Sequence, residues 1–78
     1  MATTDPIAHY VEEGAAGARL RESGVEIWAL VAQLPAMGGD VARLAAAYGL
    51  PAEVVQAALA YYQRHTELID AQITLNTV

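Results

Sequence analysis

Apolar residues recur with helical spacing in the middle of the chain. The segment VEIWALVAQL (25–34) has its large apolar residues at i, i+3, i+4 and i+7, the spacing of one face of an amphipathic helix. These residues are Ile27, Leu30, Val31 and Leu34. Ser23 is expected to cap this helix, and Pro35 to end it, because the residue before a proline avoids the helical conformation.

Two further helices follow, and a glycine separates them. They are predicted over about 41–48 and about 52–65. Asp40 has the side chain of an N-cap, and Gly49 tolerates the left-handed conformation that closes a helix. With Ala45 and Val55 at the expected contact between the two helices, this spacing predicts a helix-turn-helix.

The N-terminal third predicts a short β-hairpin. Residues 7–13 alternate loosely between apolar and polar, and residues 18–22 are a candidate return strand. Arg19 and Arg21 would then point outwards on either side of Leu20, because successive side chains of a strand alternate between its faces.

The fold class predicted by these elements is mainly α. We expect a small helix-turn-helix domain of three to four helices, with the hairpin at its N-terminus, over 7–73. Residues 1–6 are expected to be disordered, and residues 74–78 to form a tail. The segment from Thr66 begins with helical spacing and ends in β-prone alternation, which predicts either a short terminal strand or a tail that orders on a partner.

Composition and net charge limit the classes of partner that this chain is expected to bind. The chain has 78 residues, no cysteine and a net charge of −5, and all four of its cations are arginines. Nucleic-acid binders usually carry a basic face, so this balance favours a basic protein partner over DNA. An apolar content of 55% in so small a chain favours oligomerisation or a protein partner, and we expect a homodimer. With no membrane span or secretion signal in the pattern, we expect a cytoplasmic protein that does not bind membranes.

Residues that could contact DNA are few. The outward positions of the second helix are Ala52, Glu53, Gln56, Ala57, Ala60 and Gln63, of which Gln56 suits an adenine edge. The candidate DNA contacts are Arg19, Arg21, Arg43, Gln56 and Arg64. The alternative is that these arginines are ordinary solvated charges, and that the two helices never touch DNA.

We do not expect this chain to be an enzyme. His65 is followed by Glu67 and Asp70, but its helical neighbours at i+3 and i+4 are Leu68 and Ile69, which cannot ligate zinc. No nucleophile–base pair or phosphate-binding loop stands out, so we expect no cofactor, metal or catalytic residue.

Large side chains near the C-terminus are candidates for a protein interface. Adjacent residues of a helix point about 100° apart, so Tyr61 and Tyr62 cannot face the same way. The candidate partner contacts are Tyr62, at the boundary of the helix, and Ile73, Leu75 and Val78, which an extended tail with nearby acids could bring to a basic groove.

The segment ALAYYQRHTELIDAQI (58–73) resembles the closing signature of domain-of-unknown-function family 433. The signature residues are Ala58, Leu59, Ala60, Tyr61, Tyr62, His65, Glu67, Ile69, Asp70 and Ala71. The resemblance extends over roughly 7–73, through VEIWALVAQL and the predicted helix-turn-helix. It implies a small, often paired, strand-plus-helix domain, commonly regarded as an antitoxin of the VapB kind whose neighbour is a PIN-like ribonuclease toxin.

Such a regulator would bind and inhibit the ribonuclease and would bind its own operator DNA. Two features depart from the family pattern. Glu22-Ser23-Gly24 stands where the family usually has Gly-Thr-Arg, and Glu53 lies on an alanine-rich outer face. Both departures favour the alternative, a dimeric adaptor or assembly module that keeps the fold without binding DNA.

Overall fold

The computed structural model describes residues 6–76. It shows a helical domain with a small hairpin near its N-terminus. The elements are α1 (Pro6–Tyr10), β1 (Val11–Gly14), β2 (Gly17–Leu20), α2 (Ile27–Gln33), a 3-10 helix (Leu34–Met37), α3 (Val41–Tyr48), α4 (Ala52–Arg64) and α5 (Thr66–Asn76). The mainly α fold class and the N-terminal hairpin are therefore confirmed. Within the described residues no helix is both long and apolar enough to cross a membrane.

The long helix α4 lies at the centre of the fold. It packs against α1, β1, α2, α3 and α5. Its residues Val55 and Ala58 are completely buried, as are Leu20, Ile27, Leu30, Leu44 and Ile69 from the surrounding elements. One apolar core therefore joins all the helices to the inner face of the hairpin.

The helix-turn-helix has the local geometry that its residues predict. The Asp40 carboxylate accepts a hydrogen bond from the Arg43 backbone N–H at 3.2 Å, which caps α3. Gly49 adopts the left-handed conformation (φ 66°, ψ 33°), and the next N–H, of Leu50, donates to the carbonyl of Ala45 at 2.9 Å. Pro51 is the N-cap of α4 and not a residue of its first turn.

The hairpin starts later than the alternation indicates, because Ile7–Tyr10 is helical and not a strand. Proline suits the first position of a helix, and Pro6 begins α1. Arg21 satisfies the carbonyls at the end of α1: its guanidinium donates to Ala8 O at 3.2 and 3.3 Å, and its backbone N–H donates to Tyr10 O. Arg19 is exposed and Leu20 buried, as predicted, but β2 ends at Leu20, so Arg21 and Glu22 lie in the following turn and not in the predicted return strand.

The boundaries of α2 differ from the prediction at both ends. Its N-cap is Glu26, and the hydroxyl of Ser23 instead accepts from the Val25 N–H in the preceding turn. The α-helix ends at Gln33, and the chain continues through Pro35 as the 3-10 helix. The prediction that Ser23 caps this helix is therefore wrong.

The C-terminal segment is the helix α5 up to Asn76, and the prediction of a terminal strand or an extended tail is wrong for these residues. Ile69 is fully buried and Ile73 half-buried, and α5 packs against α2 and α4. Burial of this apolar face outweighs the β preference of Ile73 and Thr74. Residues 1–5 of the predicted disordered segment and residues 77–78 of the predicted tail lie outside the described residues.

We expect Gly17→Ala to destabilise the domain by about 1–3 kcal/mol, because Gly17 has a φ of 119°, which L side chains rarely adopt. A Cβ at this position would also clash with Nε2 of Gln72, which donates to the carbonyl of Ala16. Urea unfolding measures the change in the free energy of unfolding. Gly14→Ala is the control, since its Cβ would meet only the Gly17 carbonyl, at 3.5 Å, and an equal loss there would contradict the explanation.

Candidate functional site

The hairpin arginines are held by the protein itself. Arg19 forms an ion pair with Glu12 at 3.1 Å, across the two strands. Arg21, which binds the end of α1, also approaches Glu12 at 4.0 Å. Although both side chains remain about half exposed, these contacts fix them in place and partly neutralise their charge.

The other three candidate DNA contacts lie on the helix-turn-helix. Arg43 is exposed on α3, and Gln56 and Arg64 are exposed on α4. Two predicted outward residues of α4 are not fully outward, because Ala57 is buried and Ala60 half-buried. The exposed ridge of α4, which we call the α4 ridge, consists of Ala52, Glu53, Gln56, Gln63 and Arg64.

The α4 ridge is narrower than predicted because α1 packs against α4. A cleft of about 450 Å³ beside α1 is lined by Ile7 and Ala8 together with Tyr61 and Arg64 of α4. Arg21, Glu12 and Glu13 line the same cleft. The structure thus brings Arg21 and Arg64 together, but next to carboxylates that offset their charge.

A second, larger cleft lies where the end of the hairpin meets the turn of the helix-turn-helix. Its volume is about 550 Å³. Its apolar lining includes Tyr10, Leu20, Leu50, Pro51 and Val54. Two exposed carboxylates, Glu22 and Glu53, line it too, with Arg21 and His9. We call it the turn cleft.

The turn cleft was missed by sequence reasoning. Its residues come from α1, the hairpin and α4, which are separated along the chain. Glu22 and Glu53 appear in the sequence only as departures from a family pattern, and nothing in their spacing predicts that they share a cleft. An apolar cleft with a few polar groups is the usual form of a binding site.

Tyr61 connects α4 to the hairpin. It is buried, its hydroxyl donates to Glu13 at 3.1 Å, and its ring stacks on that of His65 with 4.4 Å between centroids. Burial, and then the neighbouring Glu13 carboxylate, raise the pKa of Tyr61 above its ordinary 10.0. His65 is thus a packing partner of Tyr61, and no group of three or more potential metal ligands occurs within residues 6–76.

The candidate partner contacts do not form one exposed surface. The Tyr62 hydroxyl donates to Asp70 at 2.8 Å, and this hydrogen bond, followed by burial, raises the pKa of Tyr62. Tyr62 and Ile73 are half-buried against the core, Leu75 is 78% exposed, and Val78 lies outside the described residues. Sequence reasoning missed Leu68, which is 54% exposed on the same helix as Leu75.

In Tyr61→Phe, the free energy of unfolding is expected to decrease less steeply with rising alkaline pH than in the wild type. Because the folded pKa is raised, the stabilisation is fully present below about pH 10 and is lost as the pH rises through the folded pKa. At neutral pH the variant should lose about 0.5–1.5 kcal/mol with its hydrogen bond to Glu13. Urea unfolding at neutral and alkaline pH measures both effects. Tyr62→Phe serves as control and should change both less, because the hydrogen bond from Tyr62 to Asp70 is exposed to solvent, which screens the interaction, whereas Tyr61 is buried.

Comparison of the chain with protein-family models, curated proteins and solved structures found no match. The resemblance to domain-of-unknown-function family 433 therefore stays a prediction.

Proposed function

We propose that this chain is a small antitoxin-like regulator that binds and inhibits a PIN-like ribonuclease. In this proposal a dimer of the chain also presents the helix-turn-helix to its own operator DNA. The observation that carries it is the charge of the surface offered to a partner. Arg19 and Arg21 are both within 4.0 Å of Glu12, which partly neutralises their charge, and exposed carboxylates lie on several elements. Glu22, Glu53 and Glu67 are exposed, and Glu13, Asp40 and Asp70 are exposed while each accepts a hydrogen bond within the fold.

An acidic surface suits this partner because an enzyme that cleaves RNA needs cations where it binds phosphates. Complementary charge accelerates encounter and selects the partner, while apolar contacts supply most of the affinity. The turn cleft combines both features, since Leu50 and Val54 lie beside Glu22 and Glu53. In this proposal it receives an apolar side chain of the ribonuclease, with cations of the ribonuclease next to the two glutamates.

The double variant Glu22→Gln/Glu53→Gln should inhibit the ribonuclease about 3- to 10-fold less well, because exposed ion pairs each contribute modestly. The measurement is cleavage of RNA by the PIN-like ribonuclease that we expect to be encoded beside this chain, titrated with wild type and variant. Glu67→Gln/Asp70→Asn removes the same charge from α5 and should inhibit nearly as well as wild type. Equal losses in the two variants would remove the turn cleft from the proposal, and absence of inhibition by the wild type would end it.

A second candidate function is a dimeric adaptor that binds protein but not DNA. It is favoured by the composition of the α4 ridge, against whose helix α1 packs. The side chains of this ridge that could donate hydrogen bonds to DNA are Gln56, Gln63 and Arg64, and they lie beside the acidic Glu53. Because so few cations are available to contact phosphates, any binding of this domain to DNA would be weak and would change little with salt concentration.

Gel shift with a fragment of the chain's own promoter at low salt separates the two functions. A shift that weakens with salt and is lost in Arg64→Gln supports operator binding. No shift at low salt, where electrostatic attachment is strongest, supports the adaptor.

A further inference from the structure

Two leucines on α5 are exposed although the domain has an apolar core nearby. They are Leu68, 54% exposed, and Leu75, 78% exposed, and no other large apolar side chain among residues 6–76 is comparably exposed. Both lie on α5, seven residues apart, with the exposed Ala71 between them. Residues at this spacing share one side of a helix, so the three form a continuous strip, which we call the α5 stripe.

The α5 stripe is separate from the face that holds α5 on the domain. Ile69 and Ile73 point into the core, and the next position around the helix is Gln72, whose amide donates to Ala16 O of the hairpin turn at 3.5 Å. The leucines therefore make little contribution to the monomer and are available to another molecule.

Charge indicates which molecule that is. The α5 stripe and the adjacent Gln72 carry no charge, and Ala15 and Ala16 in the nearby turn are exposed and apolar. With 100° per residue, Asp70 lies on the far side of α5, where it accepts from Tyr62, whereas Glu67, four residues before Ala71, borders the stripe on the side away from Gln72. A basic partner would find a single carboxylate, at one edge of this stripe, whereas two copies of an acidic chain can meet here with their Glu67 carboxylates at opposite ends of the contact.

We propose that the α5 stripe pairs with the α5 stripe of a second copy, in antiparallel orientation around a two-fold axis. The axis passes close to Ala71, the midpoint of the stripe, so that Leu68 of one copy contacts Leu75 of the other. The small side chain of Ala71 allows the helix axes to approach to about 8–10 Å. Antiparallel packing also sets the N-terminus of each helix beside the C-terminus of the other, which keeps the two Glu67 carboxylates at opposite ends.

The pairing deepens the proposed function, on which its biological role depends, because a dimer offers two α4 ridges to an operator. The surface is small: two leucines, alanines and a glutamine from each copy bury on the order of several hundred Å², less than the roughly 1,200 Å² of a stable interface. The dimer is therefore a weak one, whose fraction rises with protein concentration.

Sedimentation velocity over a range of concentrations measures this equilibrium. The wild type should shift from monomer to dimer, and Leu68→Asp/Leu75→Asp should weaken association about 10-fold or more by burying two carboxylates in the contact. Ala42→Asp/Ala46→Asp adds the same charge at exposed positions of α3 and should associate nearly as wild type, since the carboxylates are then outside the contact. Circular dichroism checks that all variants are folded.

A cysteine variant tests the position of the axis. The chain has no cysteine, so Ala71→Cys can form a disulfide only between two copies, and the Cα–Cα distance that this requires is about 4.4–6.8 Å. We expect Ala71→Cys to yield an oxidised dimer under mild oxidation, and the control Ala46→Cys to remain largely monomeric.

A wild type that stays monomeric at all concentrations would overturn the inference. So would a dimer that persists unweakened in Leu68→Asp/Leu75→Asp, since that dimer would use another surface. Inhibition of the ribonuclease is measured separately, so failure of this pairing and failure of the proposed function are distinguishable.

Discussion

Leu44→Ala should lower the free energy of unfolding by about 3 kcal/mol, which is the largest loss we expect from truncating a single α3 side chain. Leu44 is completely buried, and α3 packs on α4 at the helix-turn-helix. Truncation removes apolar contact and leaves a cavity that a small domain fills poorly. A domain of this size has roughly 4–12 kcal/mol of stability in total, so the variant should be partly unfolded in mild urea.

Urea unfolding followed by circular dichroism measures this loss. Leu75→Ala is the matched control, because the same atoms are removed from a side chain that is 78% exposed. We expect the control to stay within about 0.5 kcal/mol of wild type at concentrations where the chain is monomeric. Similar losses in the two variants would mean that the core does not have the packing described.

Ile69→Ala is expected to release α5 from the rest of the domain, at a cost of about 2–4 kcal/mol. Ile69 is the one residue of α5, as described to Asn76, that is fully buried, so little else holds the helix in place. An isolated helix of 11 residues is marginal in water, and α5 should therefore lose helicity once it is released.

Hydrogen exchange resolves this local loss from global unfolding. Amides of α5 should exchange faster in Ile69→Ala, while those of α2 and α4 should keep more of their protection. Ile73→Ala, at a half-buried position of the same helix, should have a smaller effect. Uniform acceleration across all helices would show instead that α5 unfolds only together with the core.

The helix-turn-helix was predictable because its signals are local. Asp40 caps α3 through an N–H three residues away, and Gly49 supplies a conformation that few other residues adopt. The helical spacing of Leu44, Ala45 and Val55 identified the residues that are buried. Each of these features depends on residues close together in the sequence.

The parts that the sequence did not predict depend on distant contacts. Pro6 is a local signal for the start of α1, but residues 7–10 are also held as a helix by the burial of Ile7 and by Arg21, which binds the carbonyls at the end of the helix, and these contacts are not visible in the local sequence. The same contact removed Arg21 from the free cations expected at a DNA surface. The α4 ridge is also narrower than periodicity alone predicts, because Ala57, which periodicity assigned to the solvent, is buried and α1 packs against α4.

The candidate surfaces also depend on contacts between residues that are distant in the sequence, and only single residues of them could be predicted. Leu75 could be proposed as a contact residue from its apolar character, but the α5 stripe required the finding that residues 66–76 are helical. The turn cleft required the meeting of the hairpin with the start of α4. Surfaces built from several elements are therefore visible only in the folded domain.

The central claim is that exposed carboxylates and the turn cleft attract a basic ribonuclease to this domain. The proposal expects a PIN-like ribonuclease to be encoded beside this chain, and the affinity of the chain for that enzyme, measured by calorimetry at low and high salt, tests this claim most directly. We expect tight binding at low salt that weakens as salt is added and weakens further in Glu22→Gln/Glu53→Gln. No binding at low salt, or an affinity that salt leaves unchanged, would contradict the account.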